Sequence, residues 1–178
     1  MTLIEGASAN QRGQWRAEVA KLTRGDQRVA DTFNKASDAS GSGQIEQMRA
    51  EADPDAEWLL KSDPRLTFRA VAIAEVIVGV YSAKQAAHPT SYVSTVVIDS
   101  RTAKPITLAD LFSNEQHGLN RLSEQTKLIF PKVYGGSQGP MGDEPGNRPI
   151  ATTLPTGYLR GPALSSISPT ISSLMGCR

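Results

Sequence analysis

The pattern of apolar and polar positions predicts β-strands in three segments of this chain. In residues 14–23 the apolar side chains fall on one face, as in a short half-buried strand. The strongest signal covers residues 65–83, a β-branched apolar run on both faces, which predicts one long central strand bent near Ala74 and Glu75. A further strand is predicted over residues 92–100, with opposite faces formed by Val93, Thr95 and Val97 and by Tyr92, Val96 and Ile98.

Apolar residues spaced by three or four positions predict the first helix. It begins at Asp26, which is a good N-cap after the turn residue Gly25. The Ser-Gly-Ser-Gly stretch at 40–43 predicts that this helix breaks or frays, because each glycine costs roughly 1 kcal/mol inside a helix. Residues 51–64 carry two prolines and are predicted to form a loop, with one helical turn over residues 58–60.

Two later helices are expected, and the beginning of the chain is expected to be irregular. Thr107 is a suitable N-cap for a short helix. Residues 115–130 carry one apolar helix face, and Pro131 ends that helix. Residues 1–13 are predicted to be a loose leader, and residues 135–149, rich in glycine and proline, to be a loop.

Composition and charge exclude several classes of function. The chain has 178 residues, 39% of them hydrophobic, and a net charge of +1, so a basic surface for nucleic acid is not indicated. No apolar run approaches the roughly 18 residues that a membrane span needs, and the first residues lack the apolar stretch of a signal peptide. One cysteine, Cys177, leaves no internal disulfide and no cysteine-based zinc site.

The stretch Tyr-Gly-Gly-Ser-Gln-Gly-Pro contains a G-x-S-x-G pattern centred on Ser137. A nucleophile elbow needs a strand before the serine and a helix after it, since the sharp turn lifts the hydroxyl and the helix supports the oxyanion. Here a predicted helix precedes the serine, and a segment rich in glycine and proline comes after it. We therefore interpret Ser137 as part of a loop.

The two histidines offer the remaining candidates for chemistry. His117 is expected to face solvent on its helix. His88 precedes Pro89 in a loop between two strong strands, a better place for function. No metal ligand or acid stands at motif spacing from His88, so a structural role is favoured. Asp99, at a turn, and Asp110, in the short helix, are also interpreted as structural. The residues that could be nominated for catalysis are His88, Ser91 and Asp99, with Ser94 as the alternative to Ser91. Ser94 and Asp99 are five positions apart and would face opposite sides of a regular strand.

Residues 86–112 form an ordered pattern of an Ala-His-Pro loop, a strand, an aspartate and a Thr-x-Lys-Pro-Ile-Thr-Leu-x-Asp-Leu-Phe turn and helix. This segment resembles the signature of DUF3298, a bacterial envelope domain of unknown function. That domain forms part of RsiV-like lysozyme-sensing anti-sigma factors and of some peptidoglycan deacetylases, and it resembles a secreted mycobacterial immunogenic protein. The matching positions are Ala87, His88, Pro89, Asp99, Lys104, Pro105, Ile106, Thr107, Leu108, Asp110, Leu111 and Phe112.

The resemblance, which spans about residues 19–150, implies an α+β fold with a curved antiparallel sheet and helices packed on one face. It assigns residues 14–150 to one envelope-type domain. In this family, further strands that follow should complete the sheet of that domain. Residues 151–178 hold no Asp, Glu or Lys and do not match. One codon choice for residues 151–160, shifted by two bases, reads Asp-Asn-Phe-Ala-Asn-Trp-Ile-Pro-Thr, which resembles the actinobacterial relatives. We expect a disordered or frameshifted tail and the loss of the closing strands.

The resemblance also implies a function. We expect a noncatalytic binding domain, extracellular or in the cell envelope, with a protein or cell-wall ligand and with the loop at His88 and Pro89 as a binding candidate. The alternative is an esterase-like hydrolase related to the mycobacterial protein. In either case no cofactor and no metal are expected, and the chain is expected to be a monomer.

Overall fold

A computed structural model describes residues 1–135. The elements are, in chain order, β1 (Thr2–Ala7), β2 (Gly13–Val19), α1 (Gln27–Glu51), β3 (Trp58–Arg69), β4 (Ala72–Ala83), β5 (Thr90–Asp99), α2 (Leu108–Leu111) and α3 (Glu115–Phe130), and then a π-helical turn (Pro131–Gly135). The expectations for Ser137, for the closing strands and for the tail at 151–178 concern residues outside this described part of the chain.

The five strands form one sheet in the order β1-β2-β3-β4-β5. Neighbouring strands are antiparallel except β2 and β3, which run parallel with Gly13 opposite Trp58. This pair is parallel because α1 joins the two strands, and a crossover of this kind returns the chain in the same direction. The predicted α+β class is confirmed, whereas the expectation of a purely antiparallel sheet is wrong at this one pair.

Helix α1 runs without a break for 25 residues. Asp26 is its N-cap, as predicted, and accepts a hydrogen bond from the Val29 amide at 3.1 Å, while Gly25 before it has φ +95°. The predicted break at residues 40–43 is wrong. A Cβ atom on Gly41 would lie 2.5 Å from Cγ1 of Val19, so the glycine allows the helix to lie close against β2. Packing on the sheet outweighs the low helix propensity of glycine.

The long central strand predicted over residues 65–83 is two strands joined by a tight turn. β3 and β4 pair as a hairpin, and Ala70 at the turn has φ +43°. Alanine rarely adopts this left-handed conformation, which is why the sequence shows no turn signal. β3 also begins earlier than expected, at Trp58, so the predicted helical turn over residues 58–60 is wrong.

The beginning of the chain is ordered as a strand. Residues Thr2–Ala7 form β1, which pairs antiparallel with β2 along its whole length, from Thr2 opposite Val19 to Ala7 opposite Gln14. The predicted loose leader over residues 1–13 is therefore wrong for this segment. Its alternation is weak because most of its side chains remain exposed even within the sheet.

Helix α1 packs on one face of the sheet, here called the inner face, and divides the core into two clusters. The first cluster lies under the N-terminal half of α1 and contains Ala20, Val29, Phe33, Ile73, Val96, Ile98 and Ala103. The second lies under its C-terminal half and contains Ala17, Ile45, Met48, Trp58 and Leu60. Trp15 stacks on Trp58 with ring centroids 6.2 Å apart, and the Arg49 guanidinium lies 5.6 Å from the Trp15 ring.

Helices α2 and α3 agree closely with the sequence prediction. Thr107 caps α2, and both its backbone amide and its hydroxyl donate to Oδ2 of Asp110 at 2.7 Å. Helix α3 has the predicted bounds. Its apolar face, however, stays open in this part of the structure: Leu122 and Ile129 are about half exposed.

The two glycines of α1 give a matched test of the close approach to β2. Gly41→Ala places a methyl group against Val19 and should lower the free energy of unfolding by about 1–3 kcal/mol. Gly43→Ala meets nothing within 4 Å and should raise it by about 0.5–1 kcal/mol, because alanine is the better helix former. Urea denaturation of both variants measures the difference. Equal effects of the same sign would contradict the packing described here.

Candidate functional site

The residues nominated for catalysis do not come together. His88 lies in the exposed loop between β4 and β5, with Nδ1 3.4 Å from the carbonyl oxygen of Pro89. Ser91 is near the start of β5, and Asp99 is its last residue. Eight residues of extended strand put Ser91 and Asp99 about 26 Å apart. No hydrogen-bonded triad of these three side chains is formed.

Asp99 holds a turn, and Asp110 lies in the short helix α2, where it forms a capping box with Thr107; both positions agree with the prediction. Asp99 accepts hydrogen bonds from the backbone amides of Arg101 at 2.8 Å and Thr102 at 3.0 Å, and these bonds lower the pKa of Asp99. The pKa of Asp110 is likewise lowered, first by the hydroxyl and then by the amide of Thr107. Both carboxylates therefore accept hydrogen bonds from residues near them in sequence and stabilise the local backbone. His117 is exposed on α3, as expected.

The most unusual side chain is Glu75, in the middle of β4. It points to the inner face beneath α1, and it is fully buried. Its Oε1 atom accepts a hydrogen bond from the backbone amide of Ala20 at 2.6 Å, just beyond the end of β2. Ser37 of α1 donates to the carbonyl of the same Ala20 at 2.9 Å. The other carboxyl oxygen, Oε2, has no hydrogen-bond partner within the described residues.

Burial is the largest influence on Glu75, and it raises the pKa of this carboxyl above its usual 4.5. The amide of Ala20, the hydroxyl of Ser37 and the charge of Lys21 act in the opposite direction, and the charge of Asp38 adds to the increase. Lys21 and Asp38 form an ion pair with each other, so their effects on Glu75 partly cancel.

A second polar contact joins α1 to the inner face. The amide nitrogen of Gln44 donates to the hydroxyl of Ser94 at 2.8 Å and to the carbonyl of Ile77 at 3.2 Å. Ser40 donates to Ser94 at 2.8 Å. A Cβ atom on Gly79 would lie 2.8 Å from Oε1 of Gln44. These groups and those around Glu75 form the polar seam, a buried line of hydrogen bonds from Ser37 to Gln44 between helix and sheet.

The other face of the sheet, here called the outer face, is different in its two halves. Near β1 and β2 it is charged, and Arg16 and Glu5 form an exposed ion pair at 3.8 Å. Near β4 and β5 it carries an exposed apolar patch, here called the valine patch, formed by Val76, Val80 and Val93. Among the helices of residues 1–135, only α1 has more than a few contacts with the sheet, and it lies on the inner face.

β5 forms one edge of the sheet, and part of that edge is unpaired. The chain after β5 turns back, so that the amide of Asp99 donates to the carbonyl of Lys104 and the amide of Ile106 donates to the carbonyl of Val97. Backbone groups alternate in direction along a strand, so those of Ser91, Val93 and Thr95 also point outward. Nothing within residues 1–135 pairs with them. Residues 90–96 contain no charged side chain, unlike most exposed edges.

Residues 1–135 also bear on the expectations about metal and membrane. No group of three or more His, Cys, Asp or Glu side chains lies close enough there to hold a metal ion. None of the helices in this part of the chain combines the length and apolarity needed to cross a membrane.

The polar seam is not identified by the sequence patterns. Glu75 is the one acidic residue within the apolar run 71–80. An acidic residue alone in such a run indicates that polar groups of the protein surround its side chain. Ser37, Ser40 and Gln44 recur at helical spacing, which marks one helix face. That face is hard to recognise because serine and glutamine are ordinarily solvent-facing residues.

Comparison with known proteins gives a structural neighbour at low sequence identity but no match to a family model or a curated protein. No family model matches the sequence, and no curated protein matches it. Among solved structures, the crystal structure of a member of the DUF3298 family from Bacteroides fragilis matches with 10% identity, covering 74% of this chain and 67% of that one, with a TM-score of 0.46. This is the family that residues 86–112 resemble, a domain of unknown function.

Glu75 makes stability depend on pH in a specific direction. Its pKa is raised in the folded state, so the folded chain holds a proton more tightly than the unfolded one. Stability should therefore fall as pH rises from about 4.5 through the folded pKa. Glu75→Gln keeps an acceptor for the Ala20 amide and removes the ionisation. Urea denaturation between about pH 2 and 8 should show this variant becoming more stable relative to the native chain as pH rises above about 4.5.

Asp99→Asn is the control with the opposite sign. The pKa of Asp99 is lowered in the folded state, so the stability it contributes is present above about 3.8 and is lost as pH falls. This variant should lose stability at neutral pH and differ least from the native chain in acid. If Glu75→Gln also lost stability at neutral pH and differed least from the native chain in acid, the buried Glu75 carboxylate would not be destabilising at neutral pH.

Proposed function

We propose that this chain is a noncatalytic binding domain of the extracellular space or cell envelope, which recognises a protein partner through β5 and the valine patch. The observation that carries the proposal is that an uncharged strand edge, which nothing within residues 1–135 pairs with, lies beside exposed apolar side chains at the same side of the sheet. The location rests on the resemblance of residues 86–112 to envelope proteins.

The geometry favours a polypeptide over a cell-wall glycan. The outward amides and carbonyls of Val93 and Thr95 are spaced to pair with another extended backbone, which is recognition by strand addition. The valine patch offers apolar contact beside that edge, where the partner's side chains would lie. The opposite edge is less suitable, because β1 carries Glu5 and borders the charged half of the outer face.

The hydrolase alternative has less support. Ester hydrolysis by a serine needs the hydroxyl, the imidazole and the carboxylate within hydrogen-bond reach of one another. His88 and Asp99 lie at opposite ends of β5, and Asp99 is engaged by Arg101 and Thr102. No observation on the described residues favours this function over binding.

Two variants of the outer face distinguish specific binding through the valine patch from nonspecific hydrophobic binding. Val80→Thr with Val93→Thr keeps the β-branched shape and removes apolar surface from the valine patch. Leu3→Thr is the control, since Leu3 lies on β1 and is 39% exposed, against 38% for Val93. Lysozyme, the partner class suggested by the resemblance, is the protein probe, and peptidoglycan sacculi are the cell-wall probe. We expect the native chain to bind lysozyme, with a dissociation constant raised about tenfold or more by the double variant and unchanged by Leu3→Thr.

Three results would contradict this proposal. Binding that is unaffected by the double variant would remove the valine patch from recognition. Binding to sacculi alone would exclude a protein partner. Hydrolysis of a short-chain p-nitrophenyl ester that disappears in His88→Ala would favour the hydrolase instead.

A further inference from the structure

A pocket of about 450 Å³ opens at the end of the sheet opposite to His88. It lies between the segment that joins β2 to α1, the first turns of α1 and the turn end of the β3–β4 hairpin. Its size is within the range of about 300–1,000 Å³ that is usual for small-molecule sites. It shares no residue with the valine patch, so a ligand bound in it would not depend on the proposed protein partner.

The wall of this pocket is mainly apolar. Its floor is formed by the buried Val29 and Ile73 of the first core cluster and by the buried Ala30. Its sides include the partly buried Leu22 and Leu66. The pocket therefore gives solvent access to the inner layer between α1 and the sheet. An apolar ligand placed there would cover core surface that nothing in residues 1–135 covers.

Phe68 gives a second, independent indication that this pocket is a binding surface. It stands opposite Ile73 in the β3–β4 register and so belongs to the inner face. Ile73 is buried, but Phe68 is 64% exposed. An inner-face aromatic ring at the rim of an apolar pocket is the side chain that a bound apolar chain would cover.

The rim also carries a cation that is available for a ligand. Arg24 lines the pocket, and within the described residues it forms no ion pair. The other charges of the wall are already engaged: Lys21 pairs with Asp38, and Asp26 caps α1 at Val29. A guanidinium presents paired donors that match a carboxylate.

We propose that this pocket binds an amphipathic anion, a molecule with an apolar chain that lies against Phe68 and Leu66 and a carboxylate that pairs with Arg24. Two sources share this chemistry, a free fatty acid and the acyl chain of an anionic lipid. The buried floor and the limited volume favour a single chain over a lipid surface.

Binding of decanoate, below its micelle concentration, tests the proposal by NMR titration of methyl groups. We expect saturable shifts at Leu22, Val29 and Ile73. Arg24→Gln should raise the dissociation constant of decanoate about tenfold and leave that of neutral decanol unchanged. Phe68→Ser should weaken both ligands. Both side chains are exposed, so the fold should tolerate these changes.

Arg16→Gln is the matched control, because Arg16 is an exposed arginine on the outer face of β2. It should leave decanoate binding unchanged. The proposal is overturned if decanoate causes no saturable shifts, if the shifts fall on Val80 and Val93, or if Arg16→Gln weakens binding as much as Arg24→Gln. It is also overturned if the chain sediments with phosphatidylglycerol vesicles but does not bind monomeric decanoate.

Discussion

The contact between helix α1 and the inner face of the sheet determines most of this structure. The helix joins β2 to β3, so its passage makes these two strands the one parallel pair among the described strands. It approaches β2 closely only because Gly41 has no side chain. Along the same face, Ser37, Ser40 and Gln44 meet polar groups of the sheet, and the polar seam thereby separates two apolar clusters. Buried hydrogen bonds are directional, so this seam specifies the rotation and position of the helix more strictly than apolar contact would.

Because α1 covers the inner face, the exposed features lie elsewhere. Helix α1 begins at Gln27, and the inner-face residue Phe68 remains exposed beside the pocket near that end. The outer face has no covering helix within residues 1–135, and its valine patch adjoins the unpaired edge of β5. The proposed protein surface and the proposed ligand pocket are therefore both consequences of how far one helix extends over one sheet.

Features with local causes were predictable from the sequence. The cap at Asp26, the strand β5, the Thr107 cap and the bounds of α3 all depend on nearby residues, and all are confirmed. The errors have causes that are distant in sequence. The continuity of α1 through Gly41 depends on Val19, and β1 is a strand because β2 pairs with it.

The candidate site was harder to predict than the fold. The hairpin turn at Ala70 uses a residue with no turn preference, and that turn places Glu75 under α1 opposite Leu66. His88, Ser91 and Asp99 have residue types suited to catalysis and lie near one another in sequence, but the ten-residue strand β5 separates His88 from Asp99. Which surfaces remain open depends on the packing of whole elements, and no short pattern reports that.

Amide hydrogen exchange across the sheet tests the central claim, that this is a binding domain using the edge formed by β5. The native chain would be measured alone and with saturating lysozyme. We expect slower exchange at the outward amides of Ser91, Val93 and Thr95 when lysozyme is bound, with no change at β1. Slower exchange confined to β1 or to the loop at His88, or no change anywhere in the sheet, would contradict it.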